Sequence, residues 1–282
     1  MKVLVTGASG QLGYDVCREL TARGVENCGV SSKEMDITDP QAVLDFVMAY
    51  KPDMVIHCAA YTKVDQAEEE AEKAFAVNGN GTRNIAQACQ KLHAKMLYIS
   101  TDYVFPGTGE QFYEVDDPKG PLNVYGKSKL EGELAVQELL EQYFIVRISW
   151  VFGEHGNNFV KTMLRLAEQH QTIRVVDDQI GSPTYTRHAA QAICDIINSK
   201  NYGIYHLTNS GICSWAEFAR EIFHIANRSV SVIPIASDAY PTKAVRPHNS
   251  RLSKSASDAL GWTPLPDWRT ALYEYLGEID AL

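Results

Sequence analysis

The chain opens Met1-Lys-Val-Leu-Val-Thr-Gly7-Ala-Ser-Gly10-Gln-Leu-Gly13, and the reading of the remaining residues turns on this stretch. Lys2 to Thr6 has the apolar run of a short buried strand. Three glycines then mark a turn, and apolar residues at helical spacing follow through Val16 and Leu20. A strand, glycine turn and helix in this order bring backbone N–H groups and the positive end of a helix dipole to one place, suited to a pyrophosphate. The spacing is Gly-x-x-Gly-x-x-Gly rather than Gly-x-Gly-x-x-Gly, and close helix packing is the competing explanation for the glycines. The position directly after the first strand favours a dinucleotide.

Further strand patterns cover Val25 to Val30, Asp53 to Cys58, Lys95 to Ile99 and Tyr143 to Ile148, with helical patterns between them. This alternation predicts an α/β fold: a Rossmann-like, doubly wound parallel sheet, followed by a smaller C-terminal α/β substrate lobe. Residues 1–152 are expected to form the NAD(P)-binding domain and 153–282 mainly the substrate lobe, partly interleaved with the first domain. In the second part, short strands are expected at Thr172 to Val176, Tyr205 to Leu207 and Val230 to Pro234, with an amphipathic helix from Trp215.

Several segments carry more specific expectations. After the second strand, Ser31-Ser-Lys33 stands where an acid would select NAD, and Lys33 suits a 2′-phosphate, so NADPH and dual use are both open. Asp36 either meets the adenine side of a cofactor or shapes its turn. Asp39-Pro40 reads as an N-cap and first-turn proline. Ala59 and Ala60 after the third strand would let a cofactor lie against the backbone, although core packing explains small residues equally well. Asn78, Gly79 and Gly81 interrupt a helical pattern, which predicts a bend or a functional backbone contact.

Reacting groups are sought at the carboxyl ends of the strands. The fourth strand delivers Ser100-Thr101-Asp102 there. Tyr125-Gly-Lys-Ser-Lys129 then places a phenol and an ammonium one helical turn apart, so that the cation favours the ionised phenol. An ordinary phenol, with a pKa of about 10, exchanges protons poorly at neutral pH and needs such tuning.

The balance of 26 basic and 35 acidic residues, a net charge of −9, argues against a nucleic-acid or anionic-membrane surface; an anionic small ligand would need a local basic pocket. Six cysteines without a Cys-x-x-Cys pair or tight cluster fit reduced thiols in a cytoplasmic protein better than zinc or disulfides. The first apolar run is too short for a signal peptide, and the chain is expected to start directly in its fold.

Taken in order, Thr6-Gly7-x-x-Gly10-x-x-Gly13, Asn78-x-x-Gly81-Thr82, Ser100-Thr-Asp-Tyr-Val-Phe105 and Tyr125-x-x-x-Lys129 resemble the extended short-chain dehydrogenase/reductase superfamily. Cys58-Ala-Ala-Tyr-Thr-Lys-Val-Asp-Gln-Ala67, Leu122-Asn-Val-Tyr-Gly-Lys127, Arg147-Ile-Ser-Trp-Val-Phe152, Gly156-Asn-Asn-Phe-Val-Lys-Thr-Met163 and Asp178-Gln-Ile-Gly-Ser-Pro-Thr184 resemble its dTDP-4-dehydrorhamnose reductase family, across nearly the whole chain. The resemblance implies reduction of a nucleotide-sugar C4 ketone with NADPH or NADH. It implies Tyr125 as proton donor, Lys129 as the group that tunes the phenol and meets the nicotinamide ribose, and Thr101 as holder of the carbonyl oxygen. Gly7, Gly10, Gln11, Leu12, Gly13, Asp36, Ile37, Cys58, Ala59, Ala60 and Asn78 would join Tyr125 and Lys129 around the cofactor. Thr101, Asp102, Val104, Phe105, Trp150, Asn158, Lys161 and Arg246 would face the substrate.

Related dehydratases carry Asp-Glu after the threonine, whereas this chain has Asp102-Tyr103, which favours plain reduction. An epimerase that reuses the same tyrosine, and a non-catalytic relative such as the regulatory subunit of methionine adenosyltransferase, are the alternatives. Some related enzymes form a magnesium-bridged dimer. Asp15 is the one candidate for that role here, which leaves Mg2+ and a homodimer open.

Overall fold

The computed structural model describes residues 1–282. Its first half alternates strands β1 (Lys2–Thr6), β2 (Glu26–Val30), β3 (Met54–His57), β4 (Lys95–Thr101) and β5 (Tyr143–Ile148) with helices α1 (Gln11–Ala22), α2 (Pro40–Tyr50), α3 (Val64–Ala67), α4 (Ala71–Phe75), α5 (Thr82–Leu92) and α6 (Val124–Leu139). The spatial order β5-β4-β3-β1-β2 is parallel throughout, and the winding reverses between β1 and β3. In such sheets the crevice beyond the carboxyl ends at the reversal is the place for a ligand. Both faces are covered: Val3 and Val5 pack on one side with α1, and Leu4 packs on the other with Val43, Ile85 and Val136 from α2, α5 and α6.

Local chemistry sets the helix starts. Asp39 accepts from the amides of Gln41 and Ala42 at 2.9 and 3.2 Å ahead of Pro40, and Asn123 accepts from Gly126 N at 2.8 Å to begin α6. The interrupted pattern near Asn78 resolves as one wide turn, a π-helix over Ala76–Gly81 joining α4 to α5. Its glycines let neighbours approach: a Cβ on Gly79 would lie 2.8 Å from Glu131 Oε1, and one on Gly81 2.9 Å from the Ile37 side chain.

The second half contains α7 (Phe159–Ala167), α8 (Thr186–Ile196), α9 (Trp215–Ile225) and the terminal helix Trp268–Glu278. Strand Thr172–Val176 pairs in parallel with Ser231–Ile235, and a separate core gathers Phe152, Val160, Phe218, Trp268 and Tyr275. A capping box, Ser214 with Glu217, starts α9. The expected strand near Tyr205 forms as Gly203–His206, but it pairs with β5 as the sixth strand of the main sheet. Tyr205 and Ile193 of α8 then complete the core around Val3 and Val5. No helix is long and apolar enough to cross a membrane.

Candidate active site

One cavity of about 720 Å³ runs along the carboxyl ends of the sheet. Its floor is the β1–α1 turn. Gly7 has φ +68°, and a Cβ there would lie 2.6 Å from Ala59 N; one on Gly13 would lie 2.2 Å from Gly7 O. The turn, the β3 end and the α1 start are thus packed to within backbone contact, with Gly10 preceding the first residue of α1. That cradle fits the pyrophosphate of a nicotinamide dinucleotide, whose charge the turn and helix N-terminus would meet. Gln11, Leu12, Asp36, Ile37, Cys58, Ala59 and Ala60 line the same cavity, as do Ser31 and Ser32.

The Asp36 carboxylate accepts from the amide and hydroxyl of Thr38 at 2.9 and 2.8 Å, so the residue shapes its turn while lining the cavity. Glu34 accepts from Ser31 N at 2.8 Å and from the Ser31 hydroxyl, which holds its carboxyl below the ordinary range. A carboxylate therefore sits on the turn after β2, near Lys33.

At the other end, Thr101, Asp102, Tyr125, Lys129 and Trp150 share the cavity wall. Thr101 terminates β4; its hydroxyl accepts from Tyr103 N at 3.2 Å and donates to Asp102 Oδ1 at 3.0 Å. Burial pushes the Asp102 carboxyl up to about 6, opposed by the hydroxyls of Ser250 and Thr101. Burial also lifts the Tyr125 phenol well above its ordinary range, with Thr101 pulling the other way. The expectation that Lys129 would depress this phenol is therefore not met in the protein alone. The reason is that the phenol is itself buried; the ammonium is buried too, desolvation pulling Lys129 down to about 7, against Glu133 and Cys58, and its Nζ donates to Ile99 O at 2.7 Å. The Tyr103 ring meets Tyr125 edge-on, with centroids 5.5 Å apart.

Trp150 follows β5 with a left-handed backbone, φ +50°, unusual for a bulky residue. Its indole lies flat on Trp215, centroids 3.7 Å apart and planes 12° from parallel, and Trp215 in turn packs on Phe159 at 4.6 Å. Gly181 passes beneath, where a Cβ would lie 2.8 Å from the Trp150 ring. Trp215 lines the cavity but reads in the sequence only as the start of an amphipathic helix. Its one signal is an aromatic residue directly after the helix-capping Ser214.

Six of the expected site residues lie outside the cavity wall, each for a physical reason. Asn78 is fully buried, donating to Tyr61 O and Ser128 Oγ and accepting from Tyr61 N at 2.8 Å, so it holds the π-turn. Val104 and Phe105 pack into a small core with Leu252. Asn158 caps α7 through Lys161 N at 3.0 Å and ties Gln11 to Tyr275. Lys161 turns its ammonium to the carbonyls of Glu154 and Gly156. Arg246 is held bidentately by Asp65 at 2.7 and 3.0 Å. Asp15 is buried between Thr186 and Arg18; Arg18 also pairs with Glu154 and Glu278, and no group of three or more His, Cys, Asp or Glu side chains is arranged to hold a metal ion.

The glycine cradle, the parallel sheet and the Thr101, Tyr125, Lys129 set at its carboxyl edge define a Rossmann-like protein of the short-chain dehydrogenase/reductase kind. The family model described as RmlD substrate binding domain matches residues 1–281, and the chain belongs to that family. It is 46% identical over 277 residues to the spore coat polysaccharide biosynthesis protein SpsK of Bacillus subtilis, covering 98% of this chain and 97% of that protein. It is 44% identical over 278 residues to dTDP-4-dehydrorhamnose reductase of Streptomyces griseus, covering 96% and 91% respectively. The crystal structure of dTDP-4-dehydrorhamnose reductase from Bacillus anthracis in complex with NADP superposes with a TM-score of 0.96 at 44% identity, over 99% of this chain and 100% of that one.

Proposed function

We propose that this chain reduces the C4 ketone of dTDP-4-dehydro-L-rhamnose to the alcohol of dTDP-L-rhamnose, with NADPH or NADH as the reductant. The observation that carries the reading is the presence of Thr101, Tyr125 and Lys129 in the wall of the same cavity as the glycine cradle. The names of the relatives at 44% identity point the same way.

The bound dinucleotide supplies the hydride. Tyr125 donates its proton to the ketone oxygen as negative charge grows there. Burial keeps the phenol protonated and so able to donate. Thr101 turns its hydroxyl from Asp102 to the same oxygen when substrate binds, and Lys129, one helical turn from Tyr125, offsets the phenolate charge left behind. Asp102 and Trp150 meet the sugar. Gly7, Gly10, Gln11, Leu12 and Gly13 hold the pyrophosphate, while Ser31, Asp36 and Ile37 hold the adenosine end. Of the residues outside the cavity wall, Asn158 bonds Gln11 and Lys161 bonds the Gly156 carbonyl, both of which line it. Tyr103 occupies the position of the second dehydratase acid and brings only a phenol, itself raised far above its ordinary range by burial, so no second carboxylate stands there to remove a carbon-bound proton.

The test is an assay with purified protein, dTDP-4-dehydrorhamnose and each reduced cofactor in turn, with the sugar product identified. Reduced nicotinamide should disappear in a one-to-one ratio with ketone. Conversion of the sugar without net cofactor oxidation would assign an epimerase instead.

A further inference from the structure

The Lys129 ammonium has two close neighbours. One is Ile99 O; the other is the ring of Tyr98, whose centroid lies 4.1 Å from Nζ. Tyr98 is fully buried on β4, and its hydroxyl donates to the Lys129 backbone carbonyl at 3.2 Å. The ring also stacks on His57 at 5.6 Å, and His57 is held between Thr6 at 2.6 Å and Thr82 at 3.1 Å. Gly132 of α6 makes room for this contact, since a Cβ there would lie 2.4 Å from the Tyr98 hydroxyl.

Among the other titratable groups around Lys129, Glu133 is the carboxylate that favours the ammonium, and its charge is shared with Arg147. Glu133, one turn further along α6, is gripped by Arg147 through two bonds of 2.8 and 2.7 Å, both side chains being almost completely buried. From the β3 side, burial keeps the Cys58 thiol protonated and pulls His57 down to about 3, so both are neutral. Tyr125, one turn back along α6, is a neutral phenol. A buried cation with a single carbonyl acceptor and no unpaired anion depends on whatever else can favour its charge, and an aromatic face does so through its quadrupole.

We propose that Tyr98 is a positioning residue for the reduction: the face of its ring keeps Lys129 in the ammonium form, and its hydroxyl holds the turn of α6 from which Lys129 projects. The inference rests on the reading of Lys129 as the group that offsets charge on Tyr125. The sign follows from the charge. The ring raises the affinity of Lys129 for its proton, so weakening the ring lets the proton leave at lower pH, and activity that needs the ammonium is lost at lower pH.

The test replaces Tyr98 by Phe and then by mono-, di- and trifluorinated phenylalanines, which weaken the quadrupole at nearly constant shape and avoid the cavity that Tyr98→Leu would leave. Lys129 is titrated by NMR of its ε-methylene in the cofactor-free protein, assigned by its absence in Lys129→Met, and kcat/KM is measured against pH. The expected result is a stepwise fall of the Lys129 midpoint with fluorination, reaching about one pH unit, with the alkaline limb of kcat/KM following. The same midpoint across the series overturns the proposal. So does a fall that is complete at Tyr98→Phe and unchanged by fluorination, since the hydroxyl would then be responsible. A midpoint that moves while the rate profile stays in place upholds the ring and lysine contact and overturns the reading of Lys129 instead.

Discussion

The end of the cavity at the β1–α1 turn, where the proposed cofactor would lie, is built from backbone, and the end at Trp150, proposed for the sugar, from side chains. Gly7, Gly10 and Gly13 lie within a single strand-turn-helix, and what matters about them is the atoms they lack: the cradle exists because no Cβ stands between Gly7 and Ala59 or between Gly13 and Gly7. Trp150 and Trp215 come from distant segments and meet only after β5, Gly181 and α9 have packed together. The first end follows from local chain geometry. The second depends on the assembly of the whole C-terminal core. Between them stand Thr101, Tyr125 and Lys129, delivered by β4 and α6, which line the same cavity and are the proposed reaction centre.

The largest expected effect is at that centre. Tyr125→Phe should leave the fold and cofactor affinity intact and lower kcat by roughly 10²- to 10⁴-fold, the range for loss of a general acid; steady-state kinetics with circular dichroism as a folding control checks it, and near-normal turnover would remove Tyr125 from the mechanism. At the backbone end, Gly13→Ala must move the turn, because its Cβ would lie 2.2 Å from a carbonyl oxygen. Stability should fall by about 1–3 kcal/mol, with cofactor affinity falling more than sugar-nucleotide affinity. Thermal unfolding and separate titrations of the two ligands measure this.

At the side-chain end the pattern should invert. Trp215→Ala removes the surface on which Trp150 lies and should raise KM for the sugar nucleotide by about tenfold, the scale of one aromatic pair, while the cofactor KM changes little. Trp215→Phe should restore most of the loss. Equal rises in both KM values would erase the distinction between the two ends. The smallest effect belongs to Glu34. Glu34→Gln removes a negative charge beside Ser31 and Lys33 and should shift the kcat/KM ratio toward NADPH over NADH by roughly two- to fivefold, as befits an exposed charge; a shift toward NADH would place the 2′-phosphate elsewhere.

This division also explains what the sequence discloses. The glycine turn and the Asp39-Pro40 helix start are local features whose residue types have few other uses, and they read directly; the ends of the third and fourth strands, expected at Cys58 and Ile99, fall at His57 and Thr101. Lys161, Arg246 and Asn158 have the right chemistry for a diphosphate, but a charge or an amide in sequence does not reveal its partner. Here the partners are backbone carbonyls, Asp65 and a helix N-terminus. Val104 and Phe105 follow Thr101 so closely that they read as site residues, yet the 3-10 turn at Asp102–Val104 leads them into the core. The Tyr125 and Lys129 spacing gives their shared helix face correctly and misses the sign of the phenol's shift. Spacing carries no information about burial, and burial outweighs the neighbouring charge. Trp215 went unread because a tryptophan on an amphipathic helix has an ordinary packing explanation.

The strand Gly203–His206 makes the two halves mutually dependent. By pairing with β5 it satisfies the backbone of that strand and becomes the outer strand of the main sheet, and α8 covers the apolar face of α1 beside it. A chain ending after residue 152 would expose both the unpaired β5 backbone and the bare flank of α1, the conditions under which strands join across molecules and aggregate. The main sheet is therefore completed late in synthesis: its sixth strand can pair with β5 only after residue 206 has emerged.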